Sequence, residues 1–216
     1  MDILFIAIGI IGFAFAIIIH EVAHGWMADR LGDPTARLMG RLTLNPIPHI
    51  DIYGTIIVPA LLFFLHSPFL FGWAKPVPID PYNLKNPKKD SALISLAGPA
   101  ANICFAILLS LFLRILLAIF PVGSFFTLFF YLIEFNIILA VFNLLPIHPL
   151  DGEKILNGIL PNKEARVFNG FMEKFGLIFL FLLIFPIFNG NSLISPIMNP
   201  VINFFLRLLI PGFSTI

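Results

Sequence analysis

Charged side chains are scarce in this 216-residue chain: Asp, Glu, Lys and Arg together make up 12% of it, against about 25% in an ordinary soluble domain. Hydrophobic residues make up 59%. Packing a water-soluble core cannot use that much apolar surface, so a soluble fold is excluded and an integral membrane protein is expected. An excess of one charge sign is also missing. The net charge is +1, which gives no electrostatic footing for a nucleic-acid partner. Cys104 is the single cysteine, so no intramolecular disulfide can form; its apolar surroundings suit a small core residue. No basic residue precedes the first apolar run, which opens Met1-Asp2. Ala14-Phe15-Ala16 has the small-x-small form of a cleavage site, but without a basic leader the first helix is expected to stay as an anchor. Repeats, linkers and low-complexity tracts are absent. The polar stretches Asp29–Asp51, Ala74–Asp90 and Asp151–Lys174 are short and leave no room for a separate soluble domain.

What is present in quantity is long apolar runs, with 26 phenylalanines among them. Five runs have the length and apolarity of membrane helices: about Ile3–Ala28, Ser91–Phe120, Phe126–Leu145, Phe171–Pro186 and Leu193–Ile210. Tyr53–Trp73 is apolar too, but Pro59, His66 and Pro68 suit a broken or re-entrant element better than a straight span. The expected fold is therefore an all-α polytopic membrane protein, with five transmembrane helices plus a re-entrant segment near 53–73, or six helices if that segment crosses. A single domain over 1–216 is expected, with a core of about 1–160 and a C-terminal helical pair of about 161–216.

"HEVAH", residues 20–24, ends the first apolar run. His20 and His24 project from one helix face and can reach one zinc ion. Glu21 can reach the water on such a metal as a general base. Two histidines and a glutamate so close together are costly in a membrane helix and mark function by default. A catalytic zinc needs a third protein ligand and an open position for water. The candidates are His49, Asp51, His66, His148, Asp151 and Glu153. Asp151 in "NLLPIHPLDGEKI" is preferred: it follows an apolar helix broken by Pro146 and Pro149, and Gly152 permits a tight turn beside it. His148 is the rival ligand, or else a supporting or gating residue beside the metal, and the alternative for Asp151 is an N-cap of the helix that follows it.

Charge and chemistry choose the same topology. If Tyr53–Trp73 dips and returns, Arg30, Arg37, Arg41, Lys75, Lys85, Lys88 and Lys89 share one side with Lys154, Lys163, Arg166 and Lys174. That side is cytoplasmic by the positive-inside rule, which places the N-terminus outside. One zinc cannot be bound from both faces, so the number of crossings between His24 and Asp151 must be even; a re-entrant Tyr53–Trp73 makes it so. His20 then lies about 15 Å along the helix from Arg30, and Asn102 about 18 Å from Asp90, at 1.5 Å rise per residue. Asn102 is thus a candidate to hold the substrate backbone or oxyanion, or else to bond the carbonyl freed by Pro99. Asn143 is a similar, weaker candidate.

"HEVAH", "SLAGPAAN" and "NLLPIHPLDG", in that order and spacing, resemble the site-2 protease family of intramembrane zinc metalloproteases. The resemblance covers about residues 10–160, and "GWAKPVPID" looks like a stretch seen in compact members. It implies one zinc ion (Zn2+) held by His20, His24 and Asp151, water activation by Glu21, and hydrolysis of peptide bonds in transmembrane protein substrates at the cell membrane. Neither the PDZ nor the CBS domain of many members is recognisable here. His148 stands where a small or apolar residue or proline is more usual. The competing class is an ion-binding transporter or a non-catalytic metal scaffold, in which the same residues bind an ion without proteolysis.

Overall fold

A computed structural model describes residues 3–65, 72–119, 123–185, 192–210 and 212. Every long element is helical, and no strand forms among the described residues. With no water at membrane depth to satisfy backbone groups, a chain this apolar has to satisfy them within each segment, which helices do. Helix α1 (Ile3–Leu31) is followed by the short α2 (Thr35–Leu38). A π-helical turn at Ile52–Ile57 leads into α3 (Val58–Phe64). Then come α4 (Pro87–Ile119), α5 (Gly123–Asn143), α6 (Asp151–Ile159), α7 (Asn162–Ile184) and α8 (Ser195–Leu209).

The long helix α4 is the central post, packed against α1, α5 and α6, with α8 laid against α5. The main apolar core joins Ala106 and Leu113 of α4, Ile133 and Ile137 of α5, and Ile202 and Leu206 of α8. Outward-facing side chains such as Phe13, Leu108, Ile115 and Phe181 stay exposed, as lipid-facing residues should, because lipid gives them no reason to turn inward. Among the described residues, four segments are long and apolar enough to cross a membrane: Ile11–Leu31, Pro87–Ile119, Phe126–Asn143 and Asn162–Ile184. This is a multi-pass membrane protein. The fifth expected span, α8, has 15 residues, or about 22 Å at the helical rise, short of a hydrocarbon core of about 30 Å. The fourth starts earlier than its apolar run suggests, because the polar turns of α7 from Asn162 are already helical.

The two described ends of the 53–73 region lie against each other. The Trp73 amide donates to Gly54 O at 3.1 Å, and Thr55 Oγ1 donates to Trp73 O at 2.9 Å. The two ends of the excursion are thereby joined. His66 and Pro68 fall outside the described residues.

Past the end of α1, Asp33 ties two polar loops together. Its carboxylate is fully buried and accepts from the Thr35 amide (3.1 Å), the Thr35 hydroxyl (2.5 Å), Asn83 Nδ2 (2.9 Å) and the Asp80 amide (2.7 Å). Burial pushes its pKa up, but the hydrogen bonds from Thr35, Asn83 and Asp80 outweigh burial and hold it below the ordinary 3.8. A carboxyl with a depressed folded-state pKa contributes stability that is present above the unfolded value and lost as pH falls through the folded one. Asp33→Asn is therefore expected to lower the thermal midpoint in detergent at pH 7, by the equivalent of about 2 kcal/mol for buried donors left unmatched. It should also flatten the loss of stability below about pH 4. Equal midpoints for wild type and variant at pH 7 would count against this role.

Candidate metal centre and active site

Three elements meet at the site. His20 and His24 lie one turn apart on the inner face of α1, Asp151 opens α6, and α4 passes behind both histidines. His20 Nε2 lies 3.0 Å from Asp151 Oδ2, and His24 Nε2 lies 3.1 Å from the same oxygen. The three ligand atoms sit within 4.8 Å of one another, the one group of this kind among the described residues. All three side chains are largely withdrawn from solvent.

The other nitrogen of each ring is also committed. His20 Nδ1–H donates to Asn102 Oδ1 at 2.6 Å, and His24 Nδ1–H donates to the Ile94 carbonyl at 2.7 Å. A proton fixed at Nδ1 leaves the Nε2 lone pair facing the shared point, and such outer bonds set ring orientation in metal sites. Two neutral imidazoles and one carboxylate are the donor set of a three-ligand catalytic zinc centre with a fourth position open. The residues present fit zinc.

Close approach makes this geometry possible. A Cβ added at Gly98 would stand 2.5 Å from His24 Cε1 and Nε2 and 2.7 Å from His20 Cε1. One added at Gly152 would stand 2.3 Å from the carbonyl oxygens of Leu144 and Leu145. Glycine at 98 thus lets α4 sit directly behind the two rings. Glycine at 152 lets the start of α6 tuck under the end of α5, which carries Asp151 inward.

Glu21, the next residue after His20, is half-buried. Its Oε2 accepts a hydrogen bond from the Val77 amide at 2.8 Å. Asn102 is fully buried, and besides His20 it engages Ala16 O (3.0 Å) and Asn136 Oδ1 (2.9 Å) through Nδ2. Both its amide protons are thereby used inside the protein, and its carbonyl partner is on α1 rather than at the position freed by Pro99. Asn143 donates to Leu139 O of its own helix at 3.0 Å and is not part of the three-residue cluster. His148 Nδ1 pairs with Glu153 Oε2 at 3.3 Å, so these two rivals of Asp151 bind each other. His49 Nε2 lies 2.9 Å from Thr43 O, and Asp51 accepts from the Gly54 amide at 2.7 Å; both serve loop structure. His66 lies outside the described residues.

Asn136 is a site residue that the sequence pattern alone did not single out. It is fully buried on α5, donates to Leu132 O at 2.8 Å, and presents its oxygen to Asn102. An amide in the middle of an apolar run is the available signal, by the same cost argument that singles out the histidines.

Comparison with known proteins places the chain in a family of metalloproteases. The family model described as peptidase family M50 matches residues 8–126 and 119–186. A Bacillus subtilis (strain 168) protein named "Putative zinc metalloprotease YwhC" is 36% identical over 192 residues, covering 83% of this chain and 80% of that protein. Two mycobacterial Rip2 proteins carry the same description. The Mycolicibacterium smegmatis protein is 32% identical over 184 residues, with 83% of this chain and 68% of its own length covered. The Mycobacterium tuberculosis (strain H37Rv) protein is 31% identical over 186 residues, covering 84% and 68%. No solved structure matches the chain.

Proposed function

Because the chain belongs to peptidase family M50, the site-2 protease family, and is therefore a zinc metalloprotease of the membrane, we propose that His20, His24 and Asp151 hold its zinc and that Glu21 is its general base. The observation that carries this reading is the convergence of both Nε2 atoms on one Asp151 oxygen, with Glu21 next in sequence to a ligand. Zinc held there would supply a Lewis acid and would bring the pKa of a bound water to about 7. Glu21 then takes a proton from the attacking water and delivers it to the leaving amine. Its Oε2 is occupied by Val77, so Oε1 is the oxygen free to move that proton. Asn102, backed by Asn136, positions His20, and Ile94 O positions His24.

The substrate we infer is a transmembrane segment of another membrane protein, cut within or near its span in regulated intramembrane proteolysis. A helical substrate hides its carbonyls in hydrogen bonds and must unwind locally before attack. The asymmetry of basic residues supports a cytoplasmic-side active site in the cell membrane, with the N-terminus outside. Burial of Asp151 against α1 and α4 supports one catalytic unit of about 1–160, with 161–216 as an added helical pair in a single domain.

The test is cleavage, in proteoliposomes, of a single-span substrate tagged on both sides. The expected result is a cut in or beside the apolar segment that a zinc chelator stops and added zinc restores. Equal cleavage with and without the chelator would remove the metal from the reaction.

A further inference from the structure

The stretch Lys75–Ile79 crosses α1 beside the site without helix or strand partners of its own. Within it, Pro76-Val77-Pro78 contains a single amide hydrogen, since proline carries none. That hydrogen is the one donated to Glu21 Oε2. Lys75 and Val77 each precede a proline, which restricts both to extended backbone, so the strap is stiff. The Val77 side chain is buried over Gly25: a Cβ on Gly25 would come within 2.8 Å of Val77 Cγ1.

The strap is fastened along its length. Arg41 Nη2 donates to Lys75 O at 2.7 Å and to Pro76 O at 3.3 Å. Lys75 N–H donates to His49 O at 2.9 Å, and the Asp80 amide donates to Asp33 just past the strap. Arg41 is 5% exposed. A buried guanidinium spent on two backbone carbonyls is an expensive fixture for an ordinary loop, and these two carbonyls immediately precede the amide that meets Glu21.

We propose that Lys75–Ile79 is a positioning strap for Glu21: the Val77 N–H fixes the carboxylate, and Arg41 is the positioning residue that holds Val77 in place. The reading rests on Glu21 being the base. A glutamate on a helix can swing through several rotamers, and a misplacement of about 1 Å at a reacting group can cost about 100-fold in rate. Tethering Oε2 to rigid backbone removes that freedom and keeps Oε1 for the proton.

The experiment replaces Val77 with its α-hydroxy acid analogue, which turns the amide into an ester and deletes the N–H without altering any side chain. Arg41→Ala and Arg41→Lys are made alongside. Rates are measured on the single-span substrate together with bound zinc and thermal midpoint. The ester variant and Arg41→Ala are expected to lose about 10- to 100-fold in kcat with KM and zinc content unchanged. Arg41→Lys should recover part of the loss, because an ammonium can still donate to one carbonyl. Should Arg41→Ala fail to fold, the ester variant decides. Wild-type kcat in the ester variant, or a change in KM alone, overturns the proposal. If Glu21→Gln is inactive while the ester variant is normal, the strap reading falls and the base assignment stands; if Glu21→Gln is itself active, both fall.

Discussion

Glu21→Gln is expected to leave zinc bound and to abolish peptide hydrolysis, with a loss of about 1,000-fold or more in single-turnover rate, within the range for removing a general acid–base. The substitution keeps the shape of the side chain and an oxygen that can still accept from the Val77 amide. It removes only the capacity to take and return a proton. The two candidate histidine ligands are held by other partners: His20 by Asn102, His24 by Ile94 O, and both by proximity to Asp151. Metal content should therefore match wild type, and the two readouts separate. Zinc retained with cleavage gone is the signature of a lost base. Loss of both would mean that Glu21 supports the ligands. Retention of both would remove it from the chemistry, and with it the reason for a carboxylate next to His20 in an apolar helix.

Much of this site is legible in the amino-acid sequence because membrane burial makes polar residues informative. His20 and His24 stand out through the cost of imidazoles in lipid and their shared helix face, and Asp151 through the need for a third ligand and its place after the proline-broken end of an apolar helix, a choice that the same-side requirement then checks. That same-side requirement also calls for 53–73 to turn back, and the bond between Trp73 and Gly54 joins its two ends. What stays hidden is of two kinds. The Ile94 carbonyl and the Val77 amide are backbone groups, and a backbone partner has no letter in the sequence. Asn102 is visible as polar and deep, but its partner is not. A carboxamide can face a substrate, a broken backbone or an imidazole, and only the packing of α4 against α1 says which it touches. The start of α7 is obscured for a simpler reason. Asn162–Gly170 mixes polar and apolar residues, and its helix is declared by amphipathic spacing rather than by a long apolar run.

Gly98→Ala is expected to cost zinc affinity and activity although glycine 98 carries no chemistry. Ile94, Gly98 and Asn102 recur every four residues, so they form one stripe on α4. His24 hydrogen-bonds the first and His20 the last, which lays both rings across the bare position between them. A methyl there would sit 2.5 Å from the His24 ring and 2.7 Å from His20, about 1 Å inside ordinary contact. Neither ring can retreat without breaking its Nδ1 bond or leaving Asp151. Disturbing such outer contacts typically lowers metal affinity by about 10- to 100-fold, and the rate should fall with it until zinc is raised to saturation. Helix propensity predicts the opposite sign, since alanine stabilises a helix interior by about 1 kcal/mol over glycine. Zinc titration with cleavage assays on the variant therefore decides between the two. A variant that is more stable, binds zinc as tightly as wild type and cleaves at the same rate would show that α4 does not cradle the histidines. A variant that folds, binds zinc weakly and recovers with added metal would show that the space at Gly98 is part of the metal site.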